Sequence, residues 1–237
     1  MVNPRSNKLL ARLSDSTYER ILPELRLVSL VAGEELHGPG DPIERVYFPI
    51  SALICLSKQL SDGLSMDTAQ IGAESMAGLR GVTGPSVHRV YVAITGLAYQ
   101  MSISVLKHEL KLGSEFRQIG WQVANNLSSM MVLQTTCGHF HTIEQRLAKW
   151  ILSRGDRLGP DPIPATQQSV ADTLGVRREA VTIAIGKLPG IYYQRCIIEL
   201  MNRIALETVS CDCYHSECEL IGNQMQFPCG TDAAPSR

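Results

Sequence analysis

The sequence predicts an α+β chain with three parts: an amino-terminal β-roll (a jelly roll), a long helix, and a carboxyl-terminal helix pair followed by a hairpin. Three observations predict it. From Leu27 to Ser104, short β-rich runs alternate with glycine turns, at a spacing of roughly 8–12 residues. From Glu115 to Cys137, the residues Phe116, Ile119, Val123, Leu127, Met130, Met131 and Leu133 recur mostly three or four apart, which draws an apolar stripe along one helix. From Ala165 to Leu188, ATQQSVADTLGVRREAVTIAIGKL reads as two short helices about a glycine corner.

Taken in order, Asn7–Leu22 opens as an amphipathic helical entry with Leu9, Leu10, Leu13, Ile21 and Leu22 on its apolar side. The roll follows, punctuated at Ala32-Gly33, Pro39-Gly40-Asp41-Pro42, Asp62-Gly63, Gly72 and Gly96. The long stripe carries few charges, and its apolar face suits pairing with a second copy of the chain. Thr142-Ile143-Glu144-Gln145 is a capping box, because Thr142 can accept from the first turn while Gln145 reaches back. A new helix therefore starts there and runs to about Arg157, with a hinge at Gly138–His141 just before it. Gly159-Pro160-Asp161-Pro162 ends that helix. Beyond Gly190, IYYQRCIIEL suits two strands about a short turn, Asn202–Tyr214 closes as a helix, and the tail from Ser216 reads as frayed. The expected divisions are residues 1–114 (roll), 115–141 (long helix and hinge), 142–214 (helix pair and hairpin) and 215–237 (flexible tail).

Composition bounds the function. Hydrophobic residues make up 44% and charged residues 19% of 237, enough for a sizeable core. The net charge of −1 is unevenly spread. Residues 142–203 hold 9 basic and 6 acidic side chains, whereas residues 204–237 hold 1 and 5. The mild positive excess falls on the helix pair. No early signal pattern and no apolar run near about 18 residues is present, so a cytoplasmic protein with no membrane partner is expected. Seven scattered cysteines are expected to be mostly free thiols in a reducing compartment.

The helix pair carries the most chemistry. Thr166 suits an N-cap, Val170, Ala171 and Leu174 face inward, and Gly175 suits a left-handed helix end. Arg177, Arg178 and Glu179 open the second helix, whose buried face is Val181, Ile185 and Leu188. This is the helix-turn-helix pattern, in which the second helix offers its first residues to base edges in the major groove. A guanidinium fork fits O6 and N7 of guanine, and a carboxylate accepts from the amino group of cytosine. The expected DNA contacts are Thr166, Gln167 and Gln168 toward phosphates, and Arg177, Arg178, Glu179 and Thr182 toward bases and their flanks.

Together these parts resemble the cyclic AMP receptor/fumarate-nitrate regulator (Crp/Fnr) family of bacterial transcription factors. Three segments carry the resemblance, which spans about Asn7 to Tyr214. They are Val31-Ala-Gly-Glu-Glu-Leu with Gly40-Asp41-Pro42 and Val46-Tyr47-Phe48, then TIEQRLAKW at Thr142–Trp150, then the helix pair. Arg178-Glu179-Ala180-Val181 matches the opening of the family's recognition helix. The resemblance implies a cyclic-nucleotide-binding-like β-roll, a dimerisation helix and a winged helix-turn-helix. It implies a homodimer reading near-palindromic double-stranded DNA, with RNA polymerase as a further partner.

Departures from the family pattern set further expectations. Ile183 stands where another basic residue is common, only Pro189-Gly190 separate Leu188 from Ile191, and Cys196 occupies the wing turn where glycine is usual. A distorted wing is expected, because a non-glycine residue at positive φ is strained. An alternative reading follows: a ligand- or metal-binding sensor with a weakened DNA-binding domain. For an effector, Glu74 and Arg89 are the nearest match to the family's ribose and phosphate cradle. The extra Ala73, Val90 without a hydroxyl, and bulky Tyr91 disfavour a cyclic nucleotide. Cys211, Cys213, His215 and Cys218 are weak metal candidates, and Cys137-Gly-His139-Phe-His141 is a second. The first cysteine is Cys55, so the amino-terminal cysteine cluster of an iron–sulfur sensor is missing. Glu34 and Glu35 point to opposite faces of a strand. No nucleophile–base constellation or phosphate loop stands out, and no enzyme activity is expected.

Overall fold

The structure is a computed structural model that describes residues 2–61, 63–113, 115–159 and 161–222. Asp62 of one expected turn, Pro160 of another and the tail from residue 223 lie outside the described residues. The chain divides into two units, Met1–Ser128 and Ser129–Arg237.

The entry segment is two helices rather than one: α1 (Lys8–Ala11) and α2 (Asp15–Ile21). The break falls at Arg12–Ser14, where Ser14 N donates to Glu115 Oε2 at 2.9 Å. Asn7 starts α1 itself: its Oδ1 accepts from the backbone N–H groups of Leu9 and Leu10 at 3.1 Å each. Its Nδ2 donates to the Pro49 carbonyl at 2.8 Å and the Ser75 carbonyl at 3.1 Å. One fully buried amide thus caps a helix and ties it to a strand end at Pro49 and a turn at Ser75, with its donors and acceptor all satisfied.

The roll comprises β1 (Arg26–Leu30), β2 (Glu35–His37), β3 (Arg45–Pro49), β4 (Leu53–Gln59), β5 (Ser65–Ile71), β6 (Arg89–Ile94) and β7 (Gly96–Ser102). They form two antiparallel sheets, β1-β7-β3 and β2-β6-β4-β5. Alternation along β6 buries Val90, Val92 and Ile94 while Arg89, Tyr91 and Ala93 face outward, the period-two pattern of a half-buried strand. Ser102 caps α3 (Ile103–Lys111). The first half of α4 (Glu115–Phe140) then returns to the roll. Phe116, Ile119 and Val123 join Leu10, Ile21, Phe48, Met101 and Leu106 in its core. This corrects the reading of the whole stripe as a seam between copies. Its amino-terminal half packs on its own roll, which is why the unit boundary falls inside α4 rather than at its start.

The second unit is built on α5 (Ile143–Leu158), which begins with the expected capping box. Gln145 N donates to Thr142 Oγ1 at 3.3 Å, and Thr142 N donates to Gln145 Oε1 at 3.0 Å. Around α5 lie β8 (Ile163–Pro164), α6 (Gln167–Leu174), α7 (Arg178–Lys187), β9 (Ile191–Gln194), β10 (Ile197–Leu200), α8 (Arg203–Val209) and α9 (Cys213–Gly222). Leu147, Ile151, Val170, Leu174, Val181, Ile198, Leu206 and Tyr214 are its buried core. Each large apolar side chain buried there contributes about 1.5–3 kcal/mol.

Two further expectations change. The wing is a three-stranded sheet, β8-β10-β9, because β8 adds to the hairpin. The segment from residue 215 to 222 is not loose: it is most of α9, held by buried Cys213, Tyr214, Glu217 and Ile221. Glu217 accepts an ion pair from Lys149 at 3.1 Å and another from Arg157 at 3.0 Å. Burial alone would raise its carboxyl, but the two cations outweigh burial and hold it below the ordinary glutamate range.

Candidate nucleic-acid interface

The helix pair is positioned from below. Thr166 Oγ1 accepts from Ser169 N at 2.9 Å and caps α6. At the other end of α6, Gly175 sits at φ 63° and ψ 42°, the left-handed terminus that glycine adopts without a Cβ penalty. Val176 N then donates to the Ala171 carbonyl at 3.0 Å. The Arg146 guanidinium donates to the Leu174 carbonyl, satisfying a helix-end acceptor from the α5 side.

On α7, Val181, Ala184 and Leu188 are buried and Ile185 is partly so. Arg178, Glu179, Thr182, Ile183 and Gly186 are exposed in one continuous ridge, with exposed Arg177 at the N-cap. Arg178 Nε donates to Gln167 Oε1 at 3.3 Å, so the first residue of α6 steers the arginine at the start of α7. Thr182 Oγ1 donates to the Arg178 carbonyl at 3.2 Å, and Gln168 Nε2 donates to Asp172 Oδ1 at 2.8 Å. The seven expected DNA-contact residues therefore lie on or beside two adjoining helix starts. Thr166 Oγ1 accepts the capping bond from Ser169 N, which uses an oxygen lone pair and not the hydroxyl proton. Lys187 Nζ pairs with Glu144 at 2.9 Å and serves to tie α7 to α5. The coupling of Gln167 to Arg178 was not visible in the sequence, because an interhelical side-chain contact leaves no periodic signal.

The wing turn is regular. Arg195 at φ 49° and Cys196 at φ 63° form a two-residue loop, with Gln194 opposite Ile197. Positive φ at both positions is the type I′ geometry that matches strand twist. The expected distortion is absent; the cost is local, in two non-glycine residues held left-handed. At the short Pro189-Gly190 junction, Gly190 has φ 72°, and a Cβ there would collide with the Asn202 carbonyl. The Gly190 carbonyl accepts from Met201 N at 2.8 Å and Asn202 N at 2.9 Å.

Comparison with known proteins places this geometry. The chain resembles FixK2 from Bradyrhizobium japonicum with a TM-score of 0.69, 21% identity, and coverage of 79% of this chain and 98% of that one. It resembles a Crp/Fnr-family regulator from Eubacterium rectale with a TM-score of 0.69, 14% identity, and coverage of 86% and 98%. The chain has the Crp/Fnr fold. A curated relative, the global nitrogen regulator of Synechococcus elongatus, is 26% identical over 200 residues, covering 77% of this chain and 88% of that protein. No family model matches.

Within this Crp/Fnr fold, the two effector candidates do not form a cradle. Glu74 lies in the turn after β5 and accepts from Gly72 N at 3.1 Å. Arg89, at the start of β6, is paired with Glu35 at 2.7 Å, and its guanidinium lies 4.7 Å from the Tyr91 ring centroid. The Tyr91 hydroxyl in turn donates to Asp67 at 3.0 Å. The cation that would meet a phosphate is engaged by Glu35 and covered by the tyrosine that replaces a small residue.

The weak metal set also changes. Cys211 and Cys213 are buried, but His215 is exposed with its ring against Tyr214, and Cys218 lies further along α9. The potential metal donors that the fold assembles are instead Cys137, His141, Cys211 and Cys213. Two of the four donors of the first candidate and two of the three of the second are present, and neither set is present whole. Among the described residues, no helix is long and apolar enough to cross a membrane.

Proposed function

We propose that this protein is a sequence-specific DNA-binding transcription regulator that acts as a homodimer on near-palindromic sites. The observation that carries the reading is the exposed ridge on α7, with Arg178 and Glu179 at its start and the opposite face locked by Val181, Ala184 and Leu188. Arg178 would read a guanine and Glu179 the cytosine of the partner strand. Arg177 and Thr182 would contact the flanks, and Gln167, Gln168 and the Thr166 cap region the phosphates.

Residues 1–114 then serve as a sensory roll, 115–141 as the dimerisation segment and hinge, and 142–214, extended by α9, as the DNA-binding part. The exposed face of α4 supports the dimer, since Trp121 and Val132 are 67% and 62% exposed, with Ala124 and Ser128 exposed between them. That face, rather than the Phe116–Val123 stripe, is the seam. Two recognition helices would then stand about one DNA turn apart, ~34 Å. RNA polymerase is the partner such a regulator addresses once bound. The engagement of Arg89 by Glu35 disfavours a cyclic nucleotide and favours a roll with another effector or none.

The test is binding to a selected site against random duplex across a salt series. The reading expects a log–log salt slope of roughly −0.9 per phosphate neutralised, together with tighter binding to the selected site by about 10³-fold or more. Weak binding with a shallow slope and no preference between duplexes would contradict it.

A further inference from the structure

We propose that Cys137, His141, Cys211 and Cys213 form a zinc site in the carboxyl-terminal unit. The four residues come from two distant segments. Cys137 lies in the last turn of α4 and His141 directly follows the helix, its backbone N–H donating to the Cys137 carbonyl at 3.2 Å. Cys211 and Cys213 flank Asp212 where the chain turns from α8 into α9, and Tyr214 N donates to the Cys211 carbonyl at 3.0 Å to set that turn.

The donor atoms, three sulfurs and one ring nitrogen, all lie within 4.8 Å of one another. Cys137 Sγ is 3.5 Å from Cys211 Sγ, and Cys213 Sγ is 3.6 Å from His141 Nδ1. A tetrahedral zinc ion with bonds of about 2.3 Å to sulfur and about 2.0 Å to nitrogen has ligand–ligand edges of roughly 3.5–3.8 Å. Two edges are already of that length, and the longest needs about 1 Å of side-chain movement. Three thiolates and an imidazole are a closed structural donor set, and thiolate sulfur favours zinc over hard cations.

The surroundings fit the same assignment. The three thiols are 2%, 4% and 4% exposed, out of reach of bulk water. His141 stands at the rim with Nδ1 turned toward Cys213. Its Nε2 lies 3.3 Å from Asp212 Oδ1. A carboxylate on the outer nitrogen of a ligating imidazole fixes its tautomer and orientation. Three thiolates on a divalent ion leave one negative charge, and the cations Lys149 and Arg146 act electrostatically on Cys137 from α5. A packed cluster of small thiols would account for the burial. It would not account for an imidazole nitrogen aimed inward with a carboxylate behind it.

The test uses full-length protein without an affinity tag, purified under reducing conditions from zinc-supplemented cells, with elemental analysis. The expected result is about one zinc per chain, retained in Cys196→Ser, whose thiol is exposed and outside the cluster. Cys213→Ser and His141→Ala should lose most of that zinc. Asp212→Asn, which alters a positioning residue, should weaken zinc affinity about 10–100-fold in chelator competition. Cobalt added to stripped wild-type protein should give the visible bands of a tetrahedral ion with thiolate charge transfer, a readout that needs no variant to fold. Zinc-free protein that fails to take up cobalt, stoichiometry lost equally in Cys196→Ser, or a Cys137–Cys211 disulfide as the only product would overturn the assignment. None of these readouts involves DNA, so the outcome is independent of the regulator reading.

Discussion

At the residue scale, recognition depends on a few exposed side chains held by buried or paired neighbours. Arg178→Ala should cost about 1–3 kcal/mol in specific DNA binding and relax preference at one base pair per half-site, measured by fluorescence anisotropy on a set of single-substituted duplexes. Gln167→Ala should weaken the same preference less, because it removes only the side chain that receives Arg178 Nε. Glu217 sets a different kind of expectation. Its folded carboxyl lies below the ordinary range because Lys149 and Arg157 outweigh burial. Its contribution to stability is therefore complete above the ordinary glutamate value, about 4.3, and is lost as pH falls through the lowered folded value. Glu217→Gln should cost about 3–5 kcal/mol near neutral pH by leaving two cations without their counter-charge, and should flatten the acid limb of a urea-denaturation series. An unchanged acid limb would show that the pair is not what titrates.

At the element scale, the sequence was readable wherever local chemistry decides structure. Thr142 and Gln145 announced α5, Thr166 and Gly175 bracketed α6, and the alternation of Val90, Val92 and Ile94 announced β6. It was less readable where a distant contact decides. The entry helix breaks at Arg12–Ser14, where Ser14 N donates to Glu115, and Asn7 ahead of it is held by the Pro49 and Ser75 carbonyls; none of these partners is near in sequence. The apolar stripe of α4 looked uniform, yet the roll claims Phe116, Ile119 and Val123, while Trp121 and Val132 stay exposed. The wing shows the same limit in reverse. Cys196 at positive φ suggested distortion, but pairing of β9 with β10 holds Arg195 and Cys196 in a turn that glycine and asparagine favour. Replacing Arg195-Cys196 by Asn-Gly should therefore raise unfolding stability by about 1–2 kcal/mol, read from urea midpoints, with base preference unchanged. A loss of stability would mean that the two native side chains make up for their backbone strain elsewhere.

At the scale of the whole molecule, function rests on two copies presenting two ridges at a fixed interval. The exposed α4 face predicts that Trp121→Glu combined with Val132→Glu shifts the protein toward monomer in sedimentation equilibrium while each chain keeps its helical content. A dimer unaffected by both charges would place the seam elsewhere. What the sequence could assign at this scale was the order of parts, since a roll, a stripe and a helix pair each have their own period. It could not assign which atoms of Cys137, His141, Cys211 and Cys213 meet, because closing a loop of more than seventy residues is a tertiary event. The most direct test of the central claim is selection of bound sequences from random duplex DNA by wild-type protein and by Arg178→Ala in parallel. The account predicts a near-palindrome with half-site centres about one helical turn, ~34 Å, apart, and loss of one conserved base pair per half-site in the variant. Recovery of no common sequence from wild-type protein, or of the same site undiminished by Arg178→Ala, would contradict it.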